Sequence, residues 1–171
     1  MKLLPFDILT LYSPYSPDAA ISRLQAVVEP RRSFALFTTR QMPYEGWIKD
    51  SEFEITRIIR YRNSFLPVIK GSIQTIIGGT NIKIQMKPNV FVLLFMAVWL
   101  GGTGIGLIST LIPFLTGDQQ ADLGSVLFTG GMFFVGYLLI MFGYKSEARK
   151  SKRFFLDLFQ AQETADAKYS S

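Results

Sequence analysis

The side chains most often used for chemistry are missing from this sequence, which contains no histidine and no cysteine. Imidazole bases, thiolate nucleophiles and Cys/His zinc sites are therefore excluded. Carboxylates remain. Glu52 and Glu54 alternate on one face of an expected strand, where paired acids could exchange protons with a substrate, but on an exposed strand the same spacing gives solvated edge charges. Asp118 and Asp122 flank Gln119 and Gln120 and could offer oxygens to a cation. Calcium takes roughly six to eight oxygens, so helix capping is the simpler role. An enzyme built on Glu45, Asp50, Glu52 or Glu54 needs two carboxylates converging in a cleft, which alternation along a strand does not supply. The run from Gly101 to Gly106 lacks the spacing and the preceding strand of a dinucleotide loop, and no phosphate-binding G-x-x-x-x-G-K-[ST] occurs. No cofactor is expected.

Cations form the more distinctive pattern. Arg57, Arg60 and Arg62 fall within six positions, ahead of a turn-forming Asn63-Ser64 and the apolar Phe65-Leu66-Pro67. With Lys70 they could present a basic rim to anionic headgroups, each cation contributing roughly 1 kcal/mol near such a surface. The competing role for Arg57 is an ion pair with a carboxylate such as Glu45 or Asp50. No aromatic-basic array of the kind that binds RNA is present, and no nucleic-acid partner is expected.

Charge also dictates the elements that must position these residues. No charged residue occurs between Lys87 and Asp118, nor between Asp122 and Lys145. A bilayer core about 30 Å thick needs roughly 20 apolar helical residues, so both stretches are long enough to span, over residues 90–115 and 123–144. Two helices apolar all round would need a covering layer that roughly 110 other residues cannot provide while also folding themselves. Residues 1–89 carry 12 Lys and Arg against 7 acids, the segment after Tyr144 carries 6 against 4, and the connection carries only Asp118 and Asp122. The positive-inside rule then places both termini in the cytoplasm and the connection outside, in an inner (plasma) membrane protein. No secretory leader is expected, because Pro5, Asp7, Pro14 and Pro17 interrupt any apolar run after Met1-Lys2.

Residues 1–89 are expected to form a cytosolic α+β domain. Residues 4–12 suit a strand, and Ser16-Pro17-Asp18 opens a helix along which Ala20, Ile21, Leu24, Val27 and Val28 recur. Residues 34–38 suit a short strand or a connection. From Tyr44 the period becomes two: residues 52–62, 69–77 and 81–87 alternate as half-buried antiparallel strands, with Arg57 and Ile58 out of phase, and Gly78-Gly79 supplies a hairpin turn. The expected fold is an antiparallel meander sheet with one or two covering helices, plus a transmembrane hairpin over 90–144. In residues 145–171, Ala148, Ser151, Phe154, Phe155, Leu158, Phe159 and Gln162 share one helical arc that can cover the sheet or lie on the membrane, followed by a polar, frayed tail. Gly102 and Gly106, with Gly130, Gly131 and Gly136 across the hairpin, allow close helix packing within the chain or between copies.

Tyr44-Glu45-Gly46-Trp47-Ile48, the arginine stretch, Gly71-Ser72-Ile73 and Gly79 to Met86 leading into a span together resemble a group of small, uncharacterised bacterial membrane proteins, over residues 44–100. Element order alone is similar to bacterial pleckstrin-homology-like domains attached to membrane helices. Neither resemblance implies catalytic residues. The expected function is a non-catalytic membrane module that holds its α+β domain at the inner leaflet and binds anionic lipid or a protein partner. The alternative is an accessory or pore-forming subunit of a transporter complex, or a homo-oligomer joined through the spans.

Overall fold

Ser16 and Pro17 begin the first helix for a local reason: the Ser16 hydroxyl accepts the Ala19 N–H at 3.3 Å, and proline at the first position gives up no hydrogen bond. The computed structural model describes residues 4–31, 42–119 and 121–164; the expected element over 34–38 and most of the tail lie outside them. Strand β1 (Asp7–Ser13) precedes helix α1 (Pro17–Gln25). Strands β2 (Val28–Pro30), β3 (Tyr44–Lys49), β4 (Glu52–Arg57), β5 (Pro67–Ile76) and β6 (Gly79–Pro88) follow, then helices α2 (Val90–Thr116) and α3 (Leu123–Leu158), and a short β7 (Gln162–Glu163).

The fold is α+β, but the sheet is mixed, not the purely antiparallel meander that alternation implies. Its order is β2-β3-β4-β5-β6-β1-β7. β2 pairs parallel to β3, with Val28 beside Tyr44. Helix α1 stops at Gln25; of the β-branched Val27 and Val28, which share the helical period, Val28 opens β2 while Val27 stays in the turn, its carbonyl accepting the Tyr44 N–H at 3.2 Å. The β5–β6 hairpin turns at Ile77-Gly78, where Gly78 takes φ +84 and Gly79 already belongs to β6.

One face of the sheet carries the core. Leu9, Leu11, Phe53, Ile55, Ile69, Ile73, Ile82 and Ile84 point to it, and α1 covers part of it through Ala20 and Leu24. The larger cover is the lower part of α3. Expected as a separate helix after the second span, the apolar arc is instead continuous with that span in one 36-residue helix. At 1.5 Å per residue α3 is about 54 Å long, well over the thickness of a bilayer core. Its buried residues Gly136, Ile140, Tyr144, Ala148, Ser151 and Phe155 form one stripe at spacings of three and four. The upper part of that stripe faces α2; the lower part faces the sheet, where the Tyr144 hydroxyl donates to the Met86 carbonyl at 2.7 Å.

Helices α2 and α3 are both long and apolar enough to cross a membrane. Asn89 caps α2 by accepting the Phe91 N–H. Pro113 lies in the last turn of α2, which ends at Gly117 in the left-handed conformation. Asp122 caps α3, accepting the Gly124 and Ser125 N–H groups at 2.6 and 3.0 Å and the Ser125 hydroxyl at 2.7 Å. Those bonds hold its carboxyl below the usual range.

Candidate functional site

Apolar surface changes abruptly along α3. Exposed large hydrophobics occur from Leu123 to Phe142 and then stop; on α2 they begin at Val90. Gly143 and Val90 therefore mark one level, and the residues gathered there form the candidate site.

The β4–β5 loop reaches that level and grips α3. Ladder pairing ends at Arg57, so Arg60 and Arg62, expected on a strand, lie in the loop and are exposed. Asn63 shapes the loop by accepting the Phe65 N–H at 3.0 Å and anchors it by donating to the Gly143 carbonyl at 3.0 Å. The Phe65 ring lies against Gly143, where a Cβ would come within 2.7 Å of Phe65 Cδ2. Phe65 also touches both apolar clusters, that of the sheet and that of Met96, Ile140 and Met141 between the two long helices.

Beside this anchor sits a buried charge. Glu147 is 1% exposed and receives Arg57 Nη1 at 2.8 Å, Lys150 Nζ at 2.6 Å and the Tyr61 hydroxyl. Burial pushes its carboxyl up, but the bonds from Lys150 and Tyr61 and the charges of Lys150 and Arg57 outweigh that, leaving it below the usual carboxylate range. The same contacts raise Lys150, through Glu147 first and then Tyr61. Arg57 thus pairs with Glu147, not with Glu45 or Asp50. Nearby, the fully buried hydroxyls of Tyr44 and Ser151 make no hydrogen bond among the described residues. Burial raises the Tyr44 phenol.

The four expected surface cations do not share one face. Arg57 lies on the core face of β4, while Lys70 lies on the opposite face and pairs with Glu54 at 2.8 Å. Only Arg60 and Arg62 are exposed on the loop at the boundary. Glu54 is accordingly an ion-pair partner, with Arg31 also at 4.0 Å. Among the described residues no group of three or more carboxylates could hold a metal ion.

The glycines also divide. The Trp99 ring fills the space a side chain at Gly136 would need, a Cβ at Gly130 would come within 3.4 Å of Leu107 and one at Gly106 within 3.8 Å of Thr129, and Thr110 and Thr129 share a hydrogen bond of 3.1 Å. Gly102 and Gly131 meet nothing within 4 Å, so they take no part in packing α2 on α3.

Glu147 is the residue that sequence patterning overlooks, although a signal for it exists. It falls inside the apolar arc of α3, three residues after Tyr144 and four before Ser151. Arg57 is likewise a charge on the apolar phase of its strand. Two such exceptions of opposite sign on surfaces that must face each other imply a pair.

No family model, curated protein or solved structure matches this chain.

Proposed function

We propose that the chain is a non-catalytic integral membrane module: α2 and the upper part of α3 cross the plasma membrane, both termini are cytoplasmic, and the α+β domain is held against the inner leaflet. The observation that carries this reading is the exposure of the two apolar stretches. Only 6% and 17% of their most apolar windows are buried within the chain, whereas core helices of water-exposed proteins are mostly covered. Lipid is the environment in which such surfaces are stable.

In that setting Arg60 and Arg62 lie at the depth of the headgroups and engage anionic lipid or an acidic protein surface. The joint between domain and membrane is stiff, because α3 passes through it unbroken and the β4–β5 loop is bolted to it by Glu147, Asn63 and Phe65. A subunit role within a larger membrane assembly has one observation in its favour, the outward-facing Gly102 and Gly131, which leave room for another helix.

The absence of native cysteine makes the orientation directly testable. Gln119→Cys should react with an impermeant thiol reagent added to intact cells, and Ser146→Cys only after permeabilisation. The reverse pattern overturns the orientation, and recovery of the full chain in the aqueous fraction without detergent overturns the membrane reading. The full chain is needed, since a fragment ending at residue 89 lacks Tyr144, Ala148, Phe155 and Phe159, which cover the sheet.

A further inference from the structure

The flank of α3 opposite the β4–β5 loop carries a second feature. On a helical wheel Gly143, Glu147 and Lys150 point one way, and Lys145, Arg149 and Lys152 point nearly opposite. The second set lines a groove of about 350 Å³ between α3 and the edge of β1. Among the described residues, β7 covers only part of that edge. It pairs with β1 at Leu11 and Tyr12, and the Thr164 N–H reaches the Thr10 carbonyl at 2.9 Å. Backbone groups alternate along a strand, so the N–H and C=O of Ile8 face the same edge, with no β7 residue opposite among the described residues.

We infer that this groove binds the phosphate of an anionic phospholipid of the inner leaflet, with Arg149 as its main contact. The inference rests on the membrane reading above and adds to it a site separate from Arg60 and Arg62.

Charge, donor geometry and depth agree on this ligand. Three cations line the groove against two carboxylates, Asp7 and Glu163. Glu163 holds Lys152 by both oxygens, at 2.7 and 2.6 Å, which closes the lower end. Arg149 is exposed and forms no ion pair among the described residues. Its fork of donors suits a phosphate, and the Ile8 N–H adds a neutral donor.

Depth then favours a lipid over a free anion. Headgroups occupy about 5 to 8 Å on each side of the hydrocarbon. Lys145 lies three residues beyond Phe142, about 4.5 Å along the axis, and Arg149 seven residues beyond, about 10 Å. Side chains on a helix tilt toward its N-terminus, which for this part of α3 is toward the bilayer. The Arg149 guanidinium therefore reaches back to phosphate level.

The test uses the full chain in mild detergent, with native mass spectrometry reading how many phosphatidylglycerol or phosphatidylcholine molecules it retains. Phosphatidylglycerol should be kept preferentially. Arg149→Gln should weaken that retention about tenfold, the loss of one charge-assisted contact, and Arg149→Lys by less. Arg153→Gln, the same charge change outside the groove, should leave retention within about twofold. Equal retention by Arg149→Gln and the parent chain overturns the site. So does an equal loss in Arg153→Gln, which would make the effect one of net charge. Inorganic phosphate that raises the thermal midpoint of delipidated protein through Arg149, with no preference for phosphatidylglycerol, overturns the lipid source. A chain that needs no detergent fails the membrane reading instead, and the two failures are distinguishable.

Discussion

Above Gly143, α3 turns Leu127, Phe128, Phe134, Val135, Leu139 and Phe142 outward; below it, Phe155 and the capping Phe159 are fully covered. One helix thus carries aromatic side chains in two settings, and the same residue type has opposite significance in each. In the lower half, apolar surface is covered by the sheet and contributes folding energy through the hydrophobic effect. In the upper half, under the proposed membrane placement, lipid gives a side chain little reason to prefer its neighbour, so packing there depends on small residues and close fit.

Paired substitutions should expose this difference, and the largest effect belongs to the core. Phe155→Ala is expected to destabilise the α+β domain by about 3–5 kcal/mol, while Phe142→Ala on the exposed upper part should change stability by less than about 1 kcal/mol. Denaturation of the protein in lipid discs, followed by proteolysis, measures both. Equal losses would mean that the two halves share one environment.

Next is the charged joint. Arg57→Met leaves Glu147 buried with one cation fewer and should destabilise by about 3 kcal/mol. Adding Glu147→Gln should recover most of that loss, because the neutral amide needs no counter-charge and still meets Tyr61. A double-mutant cycle with strictly additive terms would show that the two residues are not coupled.

Within the hairpin, Gly136→Leu collides with Trp99 and should disturb helix packing by about 1–3 kcal/mol. Gly131→Leu meets open space and should leave the single chain unchanged. Loss of a cross-linked oligomer in Gly131→Leu alone would assign that face to self-association.

The pH response should be one-sided. The Glu147 carboxyl is held below its ordinary value of 4.5, so its contribution is complete above that value and lost as pH falls through the depressed one. Lys150 is raised from 10.5, so its share is present below 10.5 and lost only as pH rises beyond it. Thermal midpoints should be flat from about pH 5.5 to 9.5 and fall on acidification, with the acid limb removed by Glu147→Gln. The smallest effect is Asp122→Ala, which should speed hydrogen exchange at the Gly124 and Ser125 amides and leave the fold intact.

Legibility in the sequence follows the same division. The long apolar helices, the strands from Tyr44 onward and the cap at Ser16 rest on local period and composition, and all are visible in the residues themselves. The parallel β2 is not, because Val27 and Val28 fit a helix and a strand equally well. β7 is two residues long and exists through its bonds to β1, a contact across the whole chain that no local pattern carries. The change from apolar to charged residues at Lys145 obscures the continuity of α3, because it marks a change in the surface the helix presents and not a break in its backbone. Of the site, the arginine cluster was evident, but its division was not. Alternation already sets Arg57 and Lys70 on opposite faces; what it does not show is where β4 ends, and so that Arg60 and Arg62 lie in a loop whose Asn63 and Phe65 dock on Gly143.

The central claim, that α3 runs without a joint from the membrane into the core of the sheet, can be measured by distance. Spin labels at Leu127→Cys and Arg153→Cys in lipid discs are separated by 26 residues of one helix, or about 39 Å along its axis. A single narrow distribution near that length is expected. A broad distribution, or a clearly shorter distance, would place a flexible joint at the boundary and contradict the account.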